Sequence, residues 1–556
     1  MKKTAAVFLA AVTVFASAAL SACNKTDQSG SGTKNDEPEV TMNTKWCEDL
    51  PVLTFSEAAD EADWVDTREM NNEAKLLLSS LKAVVNSTQP RIYTYESENG
   101  VNWLPDLGYT EEKMHEYTDI CALTKKYASE ISGAVIYDPQ VPDTINLACS
   151  YAGWKEKTLV CSPIVLAMLE GEGVKLNVIK DFRNQFTDKY SVYEWMYENL
   201  WGELTHKVIT CLNYETPGYV RDYAIAAKSA IVWLSTAVPR DVEVMKKFFS
   251  EMTPGESAFM GWFPEGDEAQ FVALSSQYGI LTYPSDLSEN LTFLSGAMTP
   301  AKAQYTAVPQ QAEKKIYVSF IVSDGDNLQY HQHEMRKWWQ LHNSSEPEFP
   351  LTWTFNPSAY VIQPAIMDYY FKNAGAKNAF MTGPSGLTYN YPRNWQNAAA
   401  REKIFALTNK YCSLSGIGVV NNWMAGSDGY GELTEAEIAT FGKYYKDILA
   451  VYDQVALSGG ARQSDGLLVD SLSVNYSQVG VGTGAFIAKI AEAIDNFAVT
   501  GEPQFVSLQG NPWDKDMYEN FRKTYNIFKG NADIKFVGMD ELAMAQRLYM
   551  NLPAAR

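Results

Sequence analysis

The sequence predicts an α/β protein, with an N-terminal α/β domain followed by a C-terminal, irregular (β/α)7–8 barrel-like domain. Two observations predict the class. Short apolar runs alternate with helix-period segments along most of the chain, the pattern of βαβ units and parallel sheets. The 556 residues also exceed what one core ordinarily serves, at roughly 100–200 residues per domain. A third observation divides the chain: the polar, proline-containing stretch near 300–314 (within TPAKAQYTAVPQQAEKK) separates a less regular half, residues 45–310, from a more regular one, residues 311–556.

The chain begins with Lys2 and Lys3, the apolar run Ala5–Leu20 and the tetrapeptide Leu20-Ser21-Ala22-Cys23. A basic start and a short apolar core make a secretory signal, too brief for a membrane span. The tetrapeptide resembles the bacterial lipobox, in which the cysteine becomes the lipidated first residue. Residues 1–22 are thus expected to be a signal peptide, with a lipid anchor at Cys23 tying the protein to a membrane. Residues 23–44 carry almost nothing apolar and read as a flexible tether. Export and anchoring place the protein on the periplasmic or cell-surface face of the envelope, with the outer membrane expected. The six remaining cysteines lack any C-x-x-C pair, and Cys149, Cys161 and Cys211 sit in apolar runs, as buried free thiols do.

In the first half the expected helices are 65–85, 111–128, 191–201 and 220–235. The expected strands are 89–95, 134–137, 158–161, 174–179 and 208–212. In the second half eight strands are expected, at 316–323, 351–356, 379–383, 416–422, 455–458, 466–470, 504–508 and 534–538. Helices fill most of the gaps, at 328–342, 363–374, 396–411, 434–451, 483–498 and 515–529. Eight such strands suit a (β/α)8 barrel. The gap 459–465 cannot hold a crossover helix, so irregularity or a count of seven is expected there.

Composition narrows the function. The excess of 67 Asp+Glu over 46 Lys+Arg opposes nucleic-acid binding, which needs a basic face. No G-x-S-x-G elbow and no phosphate-cradling glycine loop is present, so neither serine nucleophiles nor nucleotides are supported, and no cofactor is expected. The first strand of the second half runs into Ser323-Asp324-Gly325-Asp326-Asn327, placing two carboxylates at a strand's carboxyl end, where α/β folds do chemistry. The plainer reading is a polar turn whose side chain caps the next helix. After the third strand comes Gly383-Pro-Ser-Gly-Leu-Thr-Tyr-Asn-Tyr-Pro392, with Arg393 and Trp395. Tyr389 and Tyr391 offer flat faces with polar tips, suited to sugar rings; the alternative is a loop pinned by aromatic packing. His331 and His333 lie near the two aspartates, but positions i and i+2 of a helix point about 200° apart, so no metal site is expected. Calcium at Asp324 and Asp326 would lack the further spaced acids of a calcium loop.

Gly386-Leu-Thr-Tyr-Asn-Tyr-Pro392 resembles the signature of the GxGYxYP family, glycoside hydrolases of gut-type Bacteroidota. The strand with SDGDN at 318–327, the Gly261-Trp-Phe-Pro-Glu265 segment and the lipobox are similar to that family too. Thr388 departs from the pattern, standing where the signature has its second glycine. The resemblance implies a lipid-anchored carbohydrate-active enzyme with a carbohydrate ligand. Glycoside hydrolysis needs two carboxyls, one protonated and one ionised. Asp324 and Asp326 are the expected site acids, with Asp470 or Glu265 as partner. Asn327, Trp353, Tyr389, Tyr391, Trp395, Trp423, Trp513 and Trp262 are the expected substrate-binding residues. A glycan-binding protein without catalysis would keep the aromatic rim, and a metal-dependent deacetylase or esterase would need a chelatable ion.

Overall fold

Parallel pairing dominates the strands of both halves. The computed structural model describes residues 42–555, apart from 98–101, 267, 297, 424, 427–428 and 477–480, and gives only the backbone at 425–426 and 429–430. The signal, Cys23 and most of the tether lie outside the described residues. The tether's end does not hang free: Asn43 N donates to Ser87 O at 2.8 Å, and Lys45–Trp46 pairs antiparallel with Leu53–Thr54. Among the described residues no helix is long and apolar enough to cross a membrane.

In the first half, three parallel sheets follow one another. Ala62–Asp66 lies between Ile92–Tyr95 and Met114–Glu116, and Gly133–Ile136 between Thr158–Cys161 and Val178–Asp181. The third runs Ala230–Val232, Val208–Cys211, Ala258–Gly261, Leu281–Pro284. Three expected helices shrink: of 220–235 only Arg221–Ala226 is helical, and Ala230–Val232 is an edge strand of the third sheet. Val65-Asp66 belongs to a strand, and the helix begins at Asn72, where the Asn71 side chain accepts from Ala74 N. The stretch 111–128 is a strand at Met114–Glu116 and a helix only at Ile120–Lys126. Cys121, Cys149, Cys161, Cys211 and Cys412 are buried and, like Cys47, unpaired.

In the second half, one sheet runs Asn378–Thr382, Leu351–Phe355, Ile316–Val322, Gln504–Gly510. A second runs Val419–Asn422, Ala450–Asp453, Leu467–Ser471, with Arg462–Ser464 antiparallel at its edge. The two meet at both ends. Asn421 N donates to Thr382 Oγ1 at 3.1 Å, and Val474 forms a parallel bridge with Leu508. Seven parallel strands thus make a barrel-like ring. The eighth, Ile534–Phe536, does not close it: it pairs with Ile316–Val318, while Gln504–Gly510 pairs with the first strand along its whole length.

The fifth strand is Ala450–Asp453, not 455–458. An apolar run such as Ile448–Val451 fits a helix end and a buried strand equally, and burial of Ala450, Val451 and Tyr452 decides for the strand. The short gap after it is solved without a helix. The chain passes beyond the sixth strand, returns antiparallel as Arg462–Ser464, and turns into it. The last helix, Met539–Tyr549, closes the amino ends of the strands. Met539 N donates to Thr352 Oγ1, and Arg547 Nη1 donates to the carbonyls of Leu449 and Gly466.

An apolar core spans both halves. Phe259, Phe271, Tyr283 and their neighbours pack in one cluster with Leu328, Leu387, Tyr389, Tyr391, Trp395 and Trp423. Backbone bonds reinforce it: Tyr389 N donates to Thr282 O at 3.2 Å, on the edge strand of the third sheet.

Candidate active site

The loop after the first barrel strand is fixed from three sides. Asn327 N donates to Asp324 O at 3.1 Å, closing a turn, and Asp324 sits at φ +74°, in the left-handed region. A non-glycine residue held there costs about 1–3 kcal/mol, and such residues gather at functional sites. Gly325 lets the turn lie on the second strand, since a Cβ would stand 2.1 Å from Thr354 C. Gly383 does the same from the third strand, where a Cβ would stand 2.2 Å from Asp326 N. Beneath the loop, His331 stacks on Phe355 at 3.9 Å, its Nδ1 accepts from Gln363 Nε2 at 2.7 Å, and its Nε2 donates to Gly325 O at 3.0 Å. Burial lowers its pKa to about 3, so it is a neutral support. His333 faces Leu287 O and Glu289 instead, so the two imidazoles do not converge.

Above the loop lies a cavity of about 340 Å³. One wall comes from the first half: Trp262, Glu268, Pro284 and Asp286. The other comes from the barrel's carboxyl ends: Asp324, Asp326, Asn327, Gln329, Pro384, Tyr389, Trp423, Tyr476 and Trp513. Among the described residues, no lysine or arginine lines it. Trp513, 54% exposed, donates its Nε1–H to Asp324 Oδ2 at 2.6 Å. The Tyr389 hydroxyl donates to Glu268 and lies 3.2 Å from that of Tyr391. Trp262 stacks near-parallel with Tyr389 at 6.4 Å. Gln329 Nε2 donates to Asp286 Oδ1 at 2.8 Å.

Burial and neighbouring carboxylates set the electrostatics. Burial pushes the Asp324 carboxyl up to about 6; Trp513's hydrogen bond pulls the other way and the Glu268 charge adds to the rise. Asp326 goes well above the usual carboxylate range, first through burial, then through the charge of Asp324. Burial also raises Asp286 against the pull of Gln329. Of the two loop acids, Asp326 is the one whose protonated form burial and repulsion both favour. Such an arrangement can donate a proton from one carboxyl while keeping others ionised.

Several expected residues lie elsewhere. Glu265 is exposed, and its carbonyl accepts from Ser235; Glu268, three residues on at the start of a helix, is the residue that lines the cavity. Asp470 points to the last helix, where Gln546 Nε2 donates to it at 2.5 Å. Strand alternation turns its side chain into the ring rather than up to the rim. Trp353 is fully buried, bonds Asn378 Oδ1 at 2.8 Å and packs against Trp339, on the side covered by helix Glu334–His342. Trp395 is core, and Tyr391 stands behind Tyr389 with its ring edge-on. Asn327 lines the cavity and also caps helix Leu328–Gln332. Thr388 is absent from the residues with positive φ, so its Cβ causes no strain; Asn390 Nδ2 donates to its carbonyl. Glu268, Asp286, Gln329 and Tyr476 were not foreseen; the only signal for the first was its nearness to the Gly-Trp-Phe-Pro-Glu segment.

A solved structure titled as a putative hydrolase from Bacteroides thetaiotaomicron VPI-5482 superposes with a TM-score of 0.74 at 21% identity, covering 89% of this chain and 96% of that one. A structure titled as a putative polysaccharide deacetylase from Mycobacterium smegmatis gives a TM-score of 0.31 at 12% identity, over 47% of this chain and 98% of that one. No curated protein matches the sequence. The family models described as "GxGYxYP_N second domain", "GxGYxYP third domain" and "GxGYxYP putative glycoside hydrolase C-terminal domain" match residues 131–204, 206–296 and 314–544. The chain belongs to the GxGYxYP family.

Proposed function

We propose that the protein is a glycoside hydrolase acting on an oligo- or polysaccharide by carboxylate acid/base chemistry. One observation carries the reading: the cavity sets Asp324 and Asp326, from one wall, against Glu268 from the other, among aromatic faces. Asp326, kept protonated, gives its proton to the glycosidic oxygen as the C–O bond breaks. Glu268, held by the Tyr389 hydroxyl, is the carboxylate on the sugar's other side, as base or nucleophile, and water supplies the oxygen that replaces the leaving group on the anomeric carbon. Asp324 keeps the proton on Asp326 by repulsion and orients Trp513. Trp262, Tyr389 and Trp423 supply faces for a sugar ring. The lipobox supports export and anchoring through Cys23 on the periplasmic or cell-surface side, with the outer membrane as the proposed site.

Asp324→Asn and Asp326→Asn are expected to abolish release of reducing sugar from an oligosaccharide panel while leaving the circular-dichroism spectrum intact. Full activity in both variants would refute the assignment. Binding of the panel by wild type without product release would favour a glycan-binding role instead.

A further inference from the structure

The cavity has a neighbour that the proposed chemistry does not yet use. A second cavity, of about 220 Å³, shares Tyr476 with the first and is lined by Asn511, Asp514 and Asn520, with Phe486 and Met517 as apolar base. It opens where the seventh strand ends, beside the loop bearing Asp324: Ser323 N donates to Gly510 O at 3.1 Å. Trp513 stands between Asn511 and Asp514 in sequence, and its N–H is committed to Asp324, so one short loop serves both cavities.

The polar groups are oriented rather than loose. Asn511 Oδ1 accepts from Trp513 N at 3.0 Å, Asn520 Oδ1 from Thr483 Oγ1 at 2.8 Å, and Asp514 Oδ1 from Asp516 N at 2.9 Å. That leaves the two amide Nδ2 groups as donors and the second carboxylate oxygen as acceptor. Amides and a carboxylate over an apolar base match the hydroxyls and C–H face of a pyranose. The same carboxylate, with those of the first cavity, repels an anionic sugar.

We propose that the second cavity is a sugar subsite, so that the substrate is a neutral chain of at least two units whose scissile bond lies beside Asp324. This rests on reading the first cavity as the hydrolytic site.

The test compares kcat/KM for neutral oligosaccharides of two to six units with that for 4-nitrophenyl glycosides of the same sugars. Asn520→Ala and Asp514→Ala are expected to lower the ratio of oligosaccharide to aryl-glycoside kcat/KM about tenfold, the scale of one lost sugar hydrogen bond. Calorimetric titration of the same oligosaccharides into Asp326→Asn protein is expected to show the same weakening when Asn520→Ala is added. Thermal melting of each variant identifies a folding failure, and the two positions serve as independent tries. A ratio and an affinity untouched by both substitutions would overturn the second subsite and leave the first intact. Wild type that neither cleaves nor binds any member of the panel would overturn both.

Discussion

Trp513→Phe isolates one hydrogen bond at the heart of the proposed chemistry. The substitution keeps an aromatic face and deletes the N–H that reaches Asp324 Oδ2 at 2.6 Å. That donor stabilises the ionised carboxylate, so its loss raises the Asp324 pKa. A hydrogen bond to a charged group contributes about 1.5–3 kcal/mol, and the half-open position of Trp513 argues for the low end. At 1.36 kcal/mol per unit this moves the carboxyl from about 6 to about 7. If the ionised form is required, the ionised fraction at pH 6 falls from about one half to about one tenth, a roughly fivefold loss of kcat/KM, while at pH 8 it barely changes. The assay is kcat/KM against pH from 4.5 to 8.5 on an oligosaccharide substrate. Weaker stacking lowers the whole profile without moving it, so the two effects separate. An acid limb that stays in place would refute the assignment of that limb to Asp324.

Three further outcomes follow from the same geometry. The raised carboxyl of Asp326 favours folding when protonated, and that contribution fades as pH climbs from the unfolded carboxyl's range near 4 towards the higher folded value. Asp326→Asn should therefore melt above wild type at pH 8, with the gap closing at pH 4; a gap widening towards acid would contradict the linkage. Gly383→Ala drives a Cβ towards Asp326 N and is expected to cost about 1–3 kcal/mol in urea unfolding and to reduce kcat at least tenfold, and wild-type values for both would show that the loop can yield. Tyr389→Phe removes the hydroxyl from Glu268 and should lower kcat about 10–100-fold with an intact fold, whereas an unchanged kcat would detach Glu268 from the reaction.

The fold class was legible because both periodicities are plain, and seven of eight strands in the second half were found within a few residues. What failed was local. Nothing in 434–451 marks where Tyr444 ends the helix and Ala450 begins the strand, because both bury apolar residues. The closure of the ring was hidden too, since strand order is a tertiary fact. In the site, the loop acids were legible through their place after a strand. Asp470 looked equivalent, but alternation sends it to Gln546. Glu268 was missed because it sits on a helix of the other half, and only packing between halves brings it opposite Asp326. Trp353 misled for the opposite reason: an aromatic residue in a strand has two faces to choose between, and sequence does not name the one covered by a helix.

The seven-residue signature does its binding inward. Its backbone bonds Thr282, its Tyr391 N–H bonds Ser276 Oγ, and its Tyr389 hydroxyl meets Glu268, all in the preceding half of the chain. The motif is thus a joint between the two halves. A chimera that grafts this barrel onto a relative's first half should assemble a working cavity only if residues 261–286 travel with 383–395. Recombination among relatives is accordingly expected to leave that pair of segments together, however freely the surfaces around them drift.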